Sequence, residues 1–244
     1  MGSSDNLLFS DKIKNNHFFL PFSLFQQVFD LQQTVRDNDI DFLTAKDGYC
    51  VGWDVMDTES GILTSELSIC SDVNANDCLL QSFHVGNKTS LCITDMEFKE
   101  GVKYRSKIRV FNTARLSTEL LSDGFVVDTT APLMGEITFL DKSRVFLDSA
   151  EETFSHAEIA VQWHGFTDQQ SGIRTFYICV GNRSGECNIK NFTDVGNATS
   201  FSFKDLLLIQ GETYFVSVKA ENRAGMPSDL TTSDGVIVDK TGTS

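Results

Sequence analysis

From Val195 to Ala224 the chain reads VGNATSFSFKDLLLIQGETYFVSVKAENRA, and from Val85 to Ala114 it reads VGNKTSLCITDMEFKEGVKYRSKIRVFNTA. The two stretches align without a gap, setting Gly101 on Gly211, Tyr104 on Tyr214 and Asn112 on Asn222. Upstream, GYCVGWDVMDTESGILTSELSIC (Gly48–Cys70) matches EIAVQWHGFTDQQSGIRTFYIC (Glu158–Cys179), with Trp53 on Trp163 and Ser60-Gly61-Ile62 on Ser171-Gly172-Ile173. Self-similarity on this scale marks a duplicated structural unit.

Within each copy the apolar residues alternate. Tyr214, Val216, Val218 and Ala220 point one way while Phe215, Ser217, Lys219 and Glu221 point the other, the period of a half-buried strand. Tyr104, Ile108 and Val110 keep the rhythm in the first copy. Clusters of Gly, Asn, Asp and Ser separate such runs at short intervals, and no long capped segment of helical period occurs, so the chain is expected to be all-β. SDGFVVDTTAP (Ser122–Pro132) returns near the chain end as SDGVIVDKTGT (Ser233–Thr243). Each copy is read as a turn, a final strand and a stiff joint, with Pro132 opening the second module and a third module expected to begin where the chain stops.

Composition narrows the function classes. Of 244 residues, 41% are hydrophobic and 22% charged, and 20 Phe against 3 Pro is rich in strand formers. The formal net charge of −14 would repel a phosphate backbone, which excludes nucleic acid as the expected partner. No apolar run approaches the roughly 20 residues of a membrane helix, so no direct membrane insertion is expected. The greasiest stretch, FFLPFSLF (Phe18–Phe25), is short and interrupted by Pro21, and is read as a buried strand. Residues 1–20 are read as an N-terminal extension, with Met1–Ser4 as an expression remnant and the remainder as the tail of a preceding domain, a pairing strand or a leader.

YFVSVKAEN followed by Gly225, a Trp in an early strand and Leu208 six residues before Tyr214 together resemble the fibronectin type III family, with Tyr214 in the tyrosine-corner position. The VDTTAP phrase is similar to linkers between tandem fibronectin-like modules of animal cell-surface proteins. The resemblance implies two tandem fibronectin type III/immunoglobulin-like β-sandwiches, residues 21–130 and 131–241. Typical members lack cysteines and this chain has six, which points to a disulfide-bearing variant.

Six cysteines permit 15 pairings. Cys70 with Cys78 and Cys179 with Cys187 stand at matching places in the two copies, and each pair can close a hairpin. Cys50 and Cys92 remain, and their counterparts Ala160 and Ser202 lack sulfur together. Alternation sets Tyr49, Val51 and Trp53 inside and Cys50 outside, and likewise Cys92 outside Leu91 and Ile93. The resemblance makes those strands neighbours, so the two sulfurs would meet on one outer sheet face. The rival reading, metal binding, needs closely spaced ligand pairs, and the sequence has none. Paired cysteines imply an oxidising compartment, so the expected location is extracellular. Asn87, Asn182, Asn191 and Asn197 each open an N-x-S/T triplet, with Asn87 and Asn197 in the same loop of the two copies.

No motif of catalysis or cofactor binding occurs, so neither an enzyme nor a cofactor is expected. His17, His84, His156 and His164 share no metal spacing. DVNAND (Asp72–Asp77) begins like a calcium loop but lacks its glycine and terminal glutamate, and is read as a polar hairpin tip. Asp57 and Asp168 precede the Ser-Gly-Ile turns and are read as turn caps, a weak cation site being the alternative. Two surfaces stand out. Arg105, Lys107 and Arg109 alternate along a central strand, where they could dock a sulfated glycan or an acidic partner, or form a solvated face balanced by Glu66. Tyr177 and Phe215 turn outward on strands that the resemblance makes neighbours, an expected protein contact. The first functional expectation is a non-enzymatic adhesion or receptor ectodomain fragment that recognises another extracellular or cell-surface protein. The alternatives are a structural spacer and an accessory module of a secreted enzyme.

Overall fold

The computed structural model describes residues 26–31, 39–44, 48–74, 77–140 and 154–238, with 154–157 through their backbone alone. The expected extension at 1–20, the strand expected at Phe18–Phe25 and the side chains of His17 and His156 lie outside the described residues. All regular structure among the described residues is β. The strands are β1 (Gln27–Leu31), β2 (Phe42–Leu43), β3 (Tyr49–Asp54), β4 (Ile62–Ser71), β5 (Cys78–Gly86), β6 (Ser90–Ile93), β7 (Lys103–Asn112), β8 (Ser117–Leu121) and β9 (Phe125–Val127). They continue with β10 (Glu136–Phe139), β11 (Phe154–His164), β12 (Ile173–Gly181), β13 (Lys190–Asp194), β14 (Ser200–Ile209), β15 (Thr213–Asn222), β16 (Thr231–Thr232) and β17 (Val236–Ile237). The chain divides into two compact units: residues 1–39, 49–94 and 105–124 in one, and 40–48, 95–104 and 125–244 in the other, as far as these are described. The fold class is all-β with paired sheets, as the alternation predicts.

In the first unit β1, β3 and β6 pair antiparallel, with β3 in the middle. Tyr49 and Val51 turn inward at 0% exposure and Trp53 at 3%. Strands β4, β5, β7 and β8 make the second layer, in the order β7-β4-β5 with β8 also on β7. Leu67, Ile69, Ile108 and Val110 fill the space between at 0% exposure. Each such side chain contributes roughly 1.5–3 kcal/mol on burial.

One inward residue is a carboxylate. The register Val28↔Trp53 and Asp30↔Val51 puts Asp30 on the inner side of β1, at 0% exposure. The Tyr49 hydroxyl donates to Asp30 Oδ1 and lies 2.6 Å from Ser106 Oγ of β7, across the layer.

In the second unit β10-β11-β14 faces β13-β12-β15-β16, with β17 also on β15. Their shared core gathers Ile159, Val161 and Trp163 of β11 with Ile178 and Val180 of β12 and Val216, Val218 and Ala220 of β15. The Trp163 and Phe166 rings both meet Phe176 edge-on, at 5.6 and 5.5 Å between centroids. The Tyr214 hydroxyl accepts the Ile209 N–H at 2.9 Å, and Tyr104 accepts that of Lys99 at 3.2 Å.

The repeated SDG phrase has a physical role. Ser122 Oγ accepts the Ser106 N–H at 3.0 Å while its own N–H donates to the Ser106 carbonyl at 2.9 Å. Ser233 does the same to Val216 at the same two distances. Each serine thus fastens the chain to its central strand at two points before the last strand starts. Gly124 (φ 85°) and Gly235 (φ 90°) then make a left-handed step that a side chain would strain.

Candidate interaction surfaces

Three disulfides brace the strands. Cys70–Cys78 joins β4 to β5 at a register pair, Cys179–Cys187 ties β12 to the loop before β13, and Cys50–Cys92 bridges β3 and β6 at a register pair. One expectation needs correction. Cys50 is buried at 6% exposure, because its register partner on β1 is Leu31, itself 2% exposed, so that face of β3 is covered beside the sulfur.

The sequon asparagines Asn87, Asn182, Asn191 and Asn197 are all exposed. Asn87 and Asn197 occupy equivalent turns, and Asn182 Oδ1 accepts the Asn188 amide at 2.6 Å within the cysteine loop. Asn191 lies on β13, the edge strand of its sheet. A glycan there would block edge-to-edge pairing, which an open strand otherwise invites.

Alternation sets Arg105, Lys107 and Arg109 on the outward side of β7, between the buried Tyr104, Ser106, Ile108 and Val110. Neighbours already answer two of these charges. Arg105 Nε is 2.8 Å from Asp72, and Arg109 lies 3.8 Å from Glu119 and 5.1 Å above the Phe111 ring. The expected counter-charge was Glu66. Among the described residues Asp72 from the β4–β5 turn and Glu119 of β8 supply counter-charges to this face. Asp72 also gives the DVNAND tip a structural task.

On the second unit Tyr177, Cys179 and Gly181 of β12 stand in register with Lys219, Ser217 and Phe215 of β15, so Tyr177 and Phe215 share a sheet face as expected. Neither ring stands free, which corrects the expected exposed pair. A Cβ on Gly235 would lie 2.8 Å from the Phe215 ring, so the SDG turn sits directly on that ring and half-buries it. The Lys219 ammonium lies 5.4 Å from the Tyr177 centroid and 4.6 Å from that of Phe192 on β13. Phe192 is 40% exposed and forms the open edge of this face. Burial, with the Glu221 and Asp194 carboxylates nearby, pushes the Tyr177 hydroxyl above its ordinary value and keeps it a donor. Arg174 pairs with Glu221 at the far end of the patch. Sequence reasoning missed Phe192. Its register on β13 depends on how the Cys179–Cys187 loop closes, and alternation cannot carry across that loop.

The turn-cap expectation describes Asp57 and Asp168 well. Asp57 Oδ1 accepts the N–H groups of Glu59 and Ser60, and Asp168 Oδ1 those of Gln170, Ser171 and Gly172. Their other oxygens accept the side-chain amides of Asn112 and Asn222 at 2.9 and 3.0 Å. The Ser60 backbone and Asn112 hold the Asp57 carboxyl down at about 2. Burial pushes Asp168 up, but the Asn222, Ser171, Gly172 and Gln170 hydrogen bonds outweigh it and hold the carboxyl low.

No protein-family model matches the chain, and no curated protein does. Solved structures do. The domains FN1–FN3 of chicken CNTN1 are 16% identical over 82% of this chain and 65% of theirs, with a TM-score of 0.35. The fibronectin(III)-like modules of Clostridium thermocellum CbhA are 11% identical over 82% and 89%, with a TM-score of 0.41. Domains A168–A170 of titin are 9% identical over 88% and 66%, with a TM-score of 0.49. The chain thus spans less than two thirds of the CNTN1 and titin chains. Among the described residues no helix is long and apolar enough to cross a membrane.

Proposed function

We propose that this chain is a non-enzymatic recognition segment of an extracellular or cell-surface protein, and that the Tyr177–Lys219–Phe192 face docks a protein partner. The observation that carries the reading is the Lys219 ammonium held between two aromatic rings on an outer sheet face whose edge ring stays open. A cation seated on aromatic rings beside a phenol donor is the composition of an interface hot spot: large apolar area, one directional polar group and one charge. Residues 190–194 form a strand, so Asn191 points away from the side that Phe192 occupies. A glycan on Asn191 would therefore leave the aromatic face uncovered. Three disulfides and four exposed sequons fit an oxidising, glycosylating compartment. The Arg105–Lys107–Arg109 face is the weaker candidate, because two of its three cations already have acidic neighbours.

The test is binding of the multimerised fragment, made by secretion, to a panel of animal cells with and without heparin. Specific binding is expected to survive heparin and the Arg105→Ser/Lys107→Ser/Arg109→Ser variant. It should fall by about tenfold or more in Phe192→Ser/Lys219→Glu, the scale of a hot-spot loss. Absence of binding from folded material would favour the spacer reading. Loss under heparin alone would move the site to the β7 cations and a sulfated glycan.

A further inference from the structure

The first unit holds a group of oxygens that its fold does not require. Carboxylate oxygens of Asp30, Asp39 and Asp123 all lie within 4.8 Å of one another. Asp39 and Asp123 are exposed, whereas Asp30 is 0% exposed. Asp30 Oδ1 takes the Tyr49 hydroxyl, and Asp39 Oδ1 accepts the Asp30 N–H at 2.7 Å. Asp30 Oδ2 is buried and has no hydrogen-bond partner among the described residues. A buried carboxylate oxygen with no donor is costly, and the cost rises when two more carboxylates stand beside it.

The second repeat copy shows that folding does not demand this arrangement. Asp30 pairs with Val51 on β3, and its counterpart Phe139 pairs with Val161 on β11, so a ring fills the place of the carboxylate. The feature is an addition to the first copy, and it has the chemistry of a ligand set for a hard cation: three carboxylates, one rooted in the core and two at the surface. Three oxygens within 4.8 Å of one another can share one ion, and two of the three residues are exposed.

We propose that Asp30, Asp39 and Asp123 form a divalent-cation site of the calcium class. Calcium fits better than magnesium, because it accepts irregular carboxylate geometry, while magnesium demands a near-ideal octahedron and sheds its waters reluctantly. The ion would tie β1 to the residues on either side of it in the fold, namely Asp39 and the SDG turn before β9. The site stands whether or not the face on β12, β13 and β15 binds a partner.

Terbium is the probe, since Tyr49 contacts Asp30 and Trp53 stands on the same strand, and both absorb the light that sensitises its emission. The chelator-treated 244-residue chain is expected to give a saturable terbium signal that calcium displaces and equimolar magnesium does not. Asp123→Asn, at an exposed position, should weaken terbium and calcium by about tenfold or more, the scale expected for one lost charged ligand. Asp30→Asn should do the same, and Asp234→Asn, the matching residue of the second SDG phrase, should leave both unchanged. Calcium should raise the unfolding midpoint of the parent chain and of Asp234→Asn, with no shift in Asp123→Asn. Equal affinity in the parent, Asp30→Asn and Asp123→Asn chains would overturn the proposal. Lack of any saturable signal at millimolar calcium and micromolar terbium would overturn it as well.

Discussion

The two repeat copies carry opposite chemistry at three aligned core positions. The first has Asp30, Tyr49 and Ser106, joined by hydroxyl contacts across its layers, and the second has Phe139, Ile159 and Val216, packed in an apolar core. Strand register is the same in both, since Asp30↔Val51 matches Phe139↔Val161. The architecture therefore accepts either solution. Apolar packing suffices for stability, whereas a buried polar group must be satisfied to be neutral and is costly otherwise.

The largest effect is expected from breaking the first set halfway. Tyr49→Ile imitates the second copy at one position only, so it removes a fully buried ring and strips Asp30 Oδ1 of the Tyr49 hydroxyl. A loss of about 4 kcal/mol in the unfolding of the first unit is expected from the cavity and the orphaned carboxylate together. Adding Asp30→Phe and Ser106→Val should restore at least about 2 kcal/mol, because contacting positions couple. Urea unfolding of the parent, Tyr49→Ile, Asp30→Phe/Ser106→Val and the triple variant measures both values, and a simple sum of independent losses would break the comparison.

A smaller effect of opposite sign is expected from Asp30→Asn, measured with chelator present. Burial raises the Asp30 carboxyl from 3.8 to about 6, against the pull of the Tyr49, Ser122 and Ser106 hydroxyls. A folded-state value above the unfolded one means that the native chain holds the extra proton between about pH 4 and pH 6, so native stability falls as pH rises through that window. Above it the ionised Asp30 costs up to about 3 kcal/mol, at about 1.4 kcal/mol per pH unit. Asp30→Asn should therefore be more stable than the parent at pH 7 and no more stable near pH 4. An equal difference at both values would remove the carboxylate from the explanation.

Below that lies a contrast between two asparagines. Among the described residues Asn112 Nδ2 donates to Asp57 alone, while Asn222 Nδ2 lies 3.0 Å from both Asp128 and Asp168 and 3.1 Å from the Thr130 carbonyl. Each Oδ1 accepts a turn N–H, from Leu116 at 2.8 Å and from Met226 at 2.7 Å. Asn222→Ala strands the buried Asp128 and the half-buried Asp168 and should cost about 3 kcal/mol, against about 2 kcal/mol for Asn112→Ala. Chemical denaturation of the two variants ranks them.

Much of this was legible in the letters. The alignment put Asn112 on Asn222, and alternation placed Tyr104, Ile108 and Val110 in the core, because strand period and repeat register are local properties of the chain. Asp30 was not legible. Hydropathy reads a carboxylate as outward, and only the pairing of β1 with β3, closed over a long sequence distance, turns it in. A trace existed all the same: Tyr49 against Ile159 and Ser106 against Val216 are polar-for-apolar exchanges at inward positions of aligned strands. Phe215 misled for a related reason, since its cover is Gly235, twenty residues on, and alternation along a strand says nothing about what a later turn lays upon it.

The smallest expected effect tests what the copies share. Ser122 and Ser233 hold Ser106 and Val216 by one side-chain and one backbone hydrogen bond each, at equal distances. Ser122 is 2% exposed and Ser233 7%, so each hydroxyl is the buried partner of a central-strand N–H. Alanine keeps the backbone bond and leaves that N–H without its acceptor, which should cost about 1 kcal/mol at either site. The polar set complicates the first site alone, because the Ser122 hydroxyl is also a neighbour of Asp30. Ser122→Ala should accordingly lose more than Ser233→Ala at pH 7, where Asp30 is charged, and the two should converge near pH 4. Equal losses at both pH values would mean that the phrase and the polar core act independently, and that the difference between the copies ends at the three exchanged residues.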